Sequence, residues 1–217
     1  MRTIMQNPPR RSLSRLSGAF WELAKVGHSR ANKAKNRQRI LEAAAFQLRE
    51  AGLAGVSIGG LMKSTKLTHG GFYGHFASRD ELVAEALEQA LSEGNAIAIR
   101  TRSAKGPHTL KSFLNTYLSK GHRDNPGSGC ALSALAGDVA RADQRTRKIM
   151  TKHLTKYFED VSNLTEDAYT TEFAISVMCT VVGAITLSRV TSDEETSNKI
   201  LMAARKSILE YAETSTC

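Results

Sequence analysis

Thr68 and His69 stand directly before two glycines, Gly70-Gly71, and Tyr73 and His75 follow closely. A hydroxyl, an imidazole and a phenol so spaced offer hydrogen bonds to base edges and phosphate oxygens. The glycines between them remove side chains that would hold a polymer backbone away. Each glycine costs roughly 1 kcal/mol relative to alanine inside a helix, so the pair works against local stability and calls for another reason. Close approach to a DNA backbone is that reason. Thr68 and His69 are placed for base edges and Tyr73 for a phosphate, while His75 either reaches a phosphate or packs against the helix that follows. Upstream, Ser57 opens a short apolar-periodic segment and presents a hydroxyl and free backbone N–H groups to a phosphate. Arg30, Lys33, Lys35, Arg37 and Arg39 form a basic arm that adds sequence-independent, salt-sensitive attraction.

The charge distribution agrees. Residues 1–79 carry 14 Lys+Arg against 3 Asp+Glu, whereas residues 80–217 carry 16 against 18. The basic excess therefore belongs to the end that holds these residues, as expected if that end alone meets a polyanion. The three cysteines, Cys130, Cys179 and Cys217, are odd in number and widely separated. They make no disulfide framework and no zinc spacing, which fits a reducing cytoplasm. No metal and no cofactor is expected. Nothing resembles a phosphate loop, a nucleophile elbow or a pair of catalytic carboxylates, so a helical enzyme is the weakest reading and no catalytic residue is assigned. No apolar run reaches the roughly 18–20 residues of a membrane span, the nearest being interrupted by Ser176, Thr180, Gly183 and Thr186, so no membrane is expected as a partner.

The elements that must position these residues follow from periodicity. Pro8-Pro9-Arg10-Arg11 and scattered serines predict a disordered basic extension over residues 1–34, although Leu13, Leu16, Phe20, Leu23 and Ala24 recur at helical spacing. Val26 begins a second plausible start if its codon is GTG, leaving residues 1–25 outside the native chain; peptides from upstream of Val26 in the natively expressed protein would exclude this. From Lys35, Ile40, Ala44 and Leu48 share a helical face that Gly52 ends. Ser57 caps a second short helix to Lys63, Ser64–Leu67 turn the chain, and Thr68 caps a third to about Gly74 or Phe76. Phe72 and Phe76, at i and i+4, anchor it. Ser78-Arg79-Asp80-Glu81 is a capping box opening a long helix to about Thr101. Beyond a break at Ser103–Pro107 come helices holding Leu110 to Leu118, Cys130 to Ala140, Asp143 to Val161, Thr165 to Val190, and one from Ser192 onward, with Gly121–Gly129 as a loop. No strand pattern occurs. The fold class is all-α, with about nine helices.

These residues in this order resemble the DNA-binding domain of the TetR family of transcriptional regulators. The resemblance rests on Arg39-Ile40-Leu41-Glu42-Ala43-Ala44, Gly52, Val56-Ser57-Ile58, Leu67 through Phe76, and Ser78-Arg79-Asp80-Glu81-Leu82. It implies a three-helix helix–turn–helix domain at 35–80 and a helical effector-binding and dimerisation domain at 81–217. It further implies a homodimer on a palindromic double-stranded DNA operator, acting as a repressor released by a small-molecule effector. The sequence departs from the family at Thr65-Lys66, where Ala-Gly is usual, and at Gly59-Gly60. A lysine in place of that glycine predicts a positive φ at Lys66, and with it a marginally stable reading segment.

The effector is not specified. Phe113, Tyr117, His153, Tyr157, Phe158 and Met178 are candidates to line its pocket, although such residues at helical spacing also make ordinary core. Cys130 follows Pro126-Gly127-Ser128-Gly129 at a helix start with His122 and Arg123 nearby, which leaves open a regulator switched by oxidation or electrophile modification of this thiol. Cys179 is expected in the core or an interface.

Overall fold

The computed structural model describes residues 14–103, 109–164 and 170–215, with side chains described at 30–94, 109–164 and 170–213. Among them lie nine α-helices, two 3₁₀ turns and no strand. The chain divides into two compact units, residues 1–39 and 40–217. In the first, helix α1 (Ser14–Gly55) already begins. Residues 14–34, expected to be disordered, are thus helical, and the helical spacing of Leu16, Phe20 and Leu23 is the local signal for it. Residues 1–13 of the expected extension lie outside the described residues.

In the second unit, Ile40, Ala44 and Leu48 of α1 are fully buried. At Gly52 the backbone takes φ 76 and ψ 177 and leaves the helical path, followed by one further turn to Gly55. The glycine thus ends the regular helix as its type predicts. Ser57 accepts the Gly60 N–H and caps α2 (Ile58–Ser64). Thr65 then caps the other end: its buried hydroxyl lies 3.0 Å from the Leu61 carbonyl and 3.1 Å from that of Met62. Lys66 has φ 58, the left-handed conformation expected of it. Its side chain is exposed, so Lys66→Gly sheds the steric conflict of Cβ with the backbone and gives up little packing. The substitution raises stability by about 1 kcal/mol in thermal denaturation, whereas Lys66→Ala, which keeps Cβ, leaves it near wild type. No gain from glycine would contradict strain at this residue.

A 3₁₀ helix, His69–Gly74, follows, then α3 (Arg79–Ser103). The capping box at α3 is half as expected. Ser78 Oγ accepts the Glu81 N–H, but Glu81 reaches back to the Ala77 N–H, 2.6 Å away. Helix α4 (Leu110–Tyr117) is opened by a reciprocal Thr109–Ser112 box. The segment expected as a loop contains α5 (Lys120–Asp124), capped by Ser119, and a 3₁₀ turn at Pro126–Ser128. The glycine and proline content of this segment masks a one-turn helix too short for periodicity to show.

Helix α6 (Ala131–Ala140) starts at Cys130, and α7 (Gln144–Ser162) is capped by Asp143 through the Thr146 N–H. Helix α8 (Thr171–Val190) is capped by Thr170, not by the expected Thr165-Glu166-Asp167, which lies outside the described residues. Asp193 accepts the Thr196 N–H and opens α9 (Glu194–Ser215).

One core runs through the unit, from Leu61, Phe72 and Leu87 to Leu114, Leu135, Val181 and Ile185. Helix α8 packs on α9 and α7, and α3 packs on α6 and α7. By length and composition α8 is apolar enough to cross a membrane, contrary to expectation, but 44% of that window is buried inside the protein, which a core helix also satisfies.

Candidate nucleic-acid interface

The third short helix expected after Thr68 is present, with Thr68 at its N-cap and Gly74 at its end. It is a 3₁₀ helix, His69–Gly74, in which residues three apart lie one above the other. Gly70 therefore shares an edge with Tyr73, Gly71 with Gly74, and His69 with Phe72. Phe72 and Phe76 are buried at 0% and 1% exposure, and their rings stack with centroids 5.6 Å apart, as the anchoring role requires. Phe72 is turned inward, while Gly70 and Gly74 are exposed and Tyr73 is 64% exposed.

An added Cβ at Gly70 or Gly74 would meet nothing within 4 Å, and neither has a positive φ. The fold itself gives no reason for glycine at these two positions. Thr68 holds the N-cap position with extended backbone, but its hydroxyl makes no cap bond. His69 is exposed beside α2, its Nδ1 3.9 Å from where a Cβ on Gly59 would stand. Ser57 is exposed, and His75 is half-buried with its N–H on the Phe72 carbonyl. The structure thus brings Thr68, His69, Gly70, Gly71 and Tyr73 into one short segment. The basic arm belongs to the first unit, where Arg30, Lys33 and Lys35 are exposed along α1 and Arg37 is half-buried. Arg39 donates to Asn36 there, 3.4 Å away.

Four side chains that sequence reasoning missed hold this module to the later helices. Arg79 donates to the Val56 and Leu53 carbonyls at 3.1 and 2.7 Å, closing the end of α1. Asp138 of α6 accepts the Leu53 N–H at 2.9 Å and pairs with Arg141. Arg49 is buried, pairs with Glu93 of α3 at 2.8 Å and donates to the Gly127 carbonyl. Glu50 accepts the Gly127 N–H at 2.7 Å. Both backbone groups of Gly127 are thus held by consecutive residues of α1. A Cβ there would stand 2.5 Å from Phe46. Only the serine–arginine–acid pattern around Arg79 had any local signal; the partners of Arg49 and Glu50 lie far away in sequence.

The six residues considered for an effector pocket separate. Phe113, Tyr117, Tyr157 and Met178 are buried, and Phe158 is half-buried against the core. His153 is buried on α7, with Nε2 2.6 Å from Glu88 of α3. Burial raises the Glu88 pKa, but the His153 and Lys152 contacts outweigh it and hold the carboxyl below its ordinary value. A cleft of about 450 Å³ lies on the surface here, lined by Glu88, Gln144, Arg145, Lys148, Ile149 and Lys152, and none of the six borders it.

Cys130 is 4% exposed and its thiol donates to the Tyr157 hydroxyl at 3.7 Å, so an oxidant reaches it only when the helices around it part. Cys179 is exposed, which removes it from the core of the single chain. Among the described residues no cluster of His, Cys, Asp and Glu is arranged to hold a metal.

Residues 40–86 match the family model of bacterial regulatory proteins, tetR family. Over 171 residues, 72% of this chain and 86% of its relative, the chain is 25% identical to an uncharacterized HTH-type transcriptional regulator of Mycobacterium tuberculosis strain H37Rv. A TetR-family transcriptional regulator of Cytophaga hutchinsonii is similar in structure with TM-score 0.68 and 22% identity, covering 82% of this chain and 96% of that one. A TetR transcriptional regulator of Chloroflexus aurantiacus J-10-FL gives TM-score 0.69 and 21% identity, over 83% and 96%.

Proposed function

We propose that this chain, which belongs to the TetR family of transcriptional regulators, reads a palindromic operator as a homodimer and is released from it by a small-molecule effector, acting as a repressor. The observation that carries the DNA contact is the outer edge of the 3₁₀ segment. Gly70 and Gly74 leave open space that nothing inside the protein requires. An exposed tyrosine shares the first of these edges, and the unspent Thr68 hydroxyl and His69 stand at its start. Thr68 and His69 read base edges in the major groove, Gly70 and Gly71 admit the backbone, and Tyr73, Ser57 and His75 contact phosphates. Arg30, Lys33, Lys35 and Arg37 add counterion-release affinity that weakens with salt.

Apolar side chains left exposed on the last two helices support the dimer. Ile175, Leu187 and Val190 of α8 and Met202 and Tyr211 of α9 are more than a third exposed. Pairing of these helices with those of a second copy covers them as a four-helix bundle. Two reading segments then fall about 34–36 Å apart, one turn of DNA. An effector that favours another spacing shifts the population away from the bound form.

The test is a footprint on DNA flanking the gene with Thr68→Ala, His69→Ala and Tyr73→Phe. The first two relax sequence preference by about 1–3 kcal/mol at one base pair of each half-site, and the third weakens all sites about equally. Operator binding untouched by all three would overturn the assignment.

A further inference from the structure

Helix α7 carries its charges the wrong way round for its own stability. Arg145 and Arg147 lie in its first turn and Lys148 follows, with no acidic side chain in that turn. Glu159 and Asp160 lie in its last turn, with no basic one. Cations thus crowd the positive end of the helix dipole and anions the negative end, and both placements are unfavourable. Arg145, Lys148 and Lys152 also stand at i, i+3 and i+7, on one face, where like charges repel. The ion pairs of the helix do not relieve this. Lys152 reaches Glu88 of α3 at 3.4 Å and Lys156 reaches Asp160 at 3.7 Å, whereas Arg145 and Lys148 have no carboxylate partner among the described residues. The carboxylate at the N-cap, Asp143, is taken up by the Thr146 N–H and hydroxyl, both at 2.9 Å.

This face borders the cleft of about 450 Å³ between α3 and α7. Its charged lining is Arg145, Lys148, Lys152 and Glu88. Both oxygens of Glu88 are already engaged, one with the buried His153 at 2.6 Å and the other with Lys152. Three cations against one carboxylate leave two positive charges in excess, and they are those of Arg145 and Lys148.

We infer that this cleft binds a small phosphate monoester. Such a group carries about −1.5 to −2 charges near neutral pH, which matches the excess, and its three outer oxygens accept hydrogen bonds. The Arg145 guanidinium offers two parallel N–H donors to a pair of these oxygens, Lys148 offers its ammonium, and the Gln144 amide adds a neutral donor. Half-buried Ile149 gives the rest of the ligand an apolar contact. The volume lies within the roughly 300–1,000 Å³ of small-molecule sites. The cations are exposed, so water screens them and binding is modest. The site shares no residue with the reading segment.

Phenyl phosphate is titrated into the full-length chain without DNA at fixed salt, followed by calorimetry and by the ligand's phosphorus NMR resonance. Methyl phenyl phosphate is the comparison, with the same ring but the single charge of a nucleic-acid backbone phosphate. Wild type binds phenyl phosphate saturably with Kd below about 1 mM, and the diester at least about fivefold more weakly. Arg145→Gln and Lys148→Gln each weaken the monoester about fivefold or more. Lys156→Gln, one turn beyond the cleft, stays within about twofold of wild type. Glu88→Gln keeps an acceptor for His153 and frees Lys152, so it tightens binding about threefold or more. Without ligand, Arg145→Gln melts no lower than wild type, since it removes a cation from the positive end of the helix. No saturation below about 1 mM or equal affinity for the diester would overturn the site. So would unchanged affinity in Arg145→Gln or Lys148→Gln, an equal loss in Lys156→Gln, no gain in Glu88→Gln, or a lower melting point of Arg145→Gln.

Discussion

Gly52→Ala lowers the thermal midpoint by about 6–12 °C, the shift that a loss of about 3 kcal/mol produces in a domain of this size. Two causes add. The first is the backbone: φ 76 with ψ 177 is a region that essentially only glycine occupies, at a cost of about 1–3 kcal/mol for any other residue. The second is Asp138. A Cβ on residue 52 would stand 2.3 Å from its Oδ2, the same oxygen that accepts the Leu53 N–H. The carboxylate must swing away, and the N–H at the end of α1 loses a charge-assisted partner, a further cost of about 1–2 kcal/mol. A double-mutant cycle separates the two. In an Asp138→Ala background Gly52→Ala costs only the backbone part, and the coupling between the sites is about 1 kcal/mol or more. Full additivity would show that Asp138 does not oppose the new methyl group. A near-neutral Gly52→Ala would show that residue 52 has an easy alternative conformation.

Gly52 also illustrates what was legible in the sequence. A glycine after an amphipathic run predicts the end of a helix, and the end is there. The carboxylate that crowds it comes from a helix more than eighty residues later, and no local pattern announces that. The same division holds throughout. Ser57, Asp143 and the positive φ of Lys66 are short-range facts, set by a side chain and its own few backbone neighbours, and residue types reveal them. Phe72 and Phe76 were legible because i, i+4 spacing states a shared face. Arg49 and Glu50 were not, since a charged pair at the end of a helix looks the same whether it is solvated or closed over Gly127. Nor was the form of the reading segment. Six residues with three glycines support either an α or a 3₁₀ turn, and packing of the two phenylalanines selects the tighter one. The effector residues failed to separate from core in the sequence for a related reason: helical spacing reports that a side chain is buried, never whether it borders a cavity.

Gly70→Glu abolishes operator binding while leaving the fold intact, and the contrast between the two measurements is what makes it decisive for the interface. Open space around residue 70 means that a longer side chain meets nothing in the free protein. Thermal stability therefore stays within about 0.5 kcal/mol of wild type, as for surface changes elsewhere. On DNA the same carboxylate is pressed toward phosphates along the edge that Tyr73 shares. Like charges brought together at an interface cost several kcal/mol, which corresponds to at least about a hundredfold loss of affinity. Gly70→Ala, which adds bulk without charge, falls between. Thr155→Glu places the same charge on an exposed position of α7, outside the reading segment, and leaves operator affinity within about threefold, since a solvated charge that is not pressed against phosphates is screened by salt. Fluorescence anisotropy on the footprinted operator at fixed salt reads all four proteins. Wild-type affinity in Gly70→Glu would mean that the glycine edge faces solvent in the complex, and the reading surface would have to be sought on another side of the module.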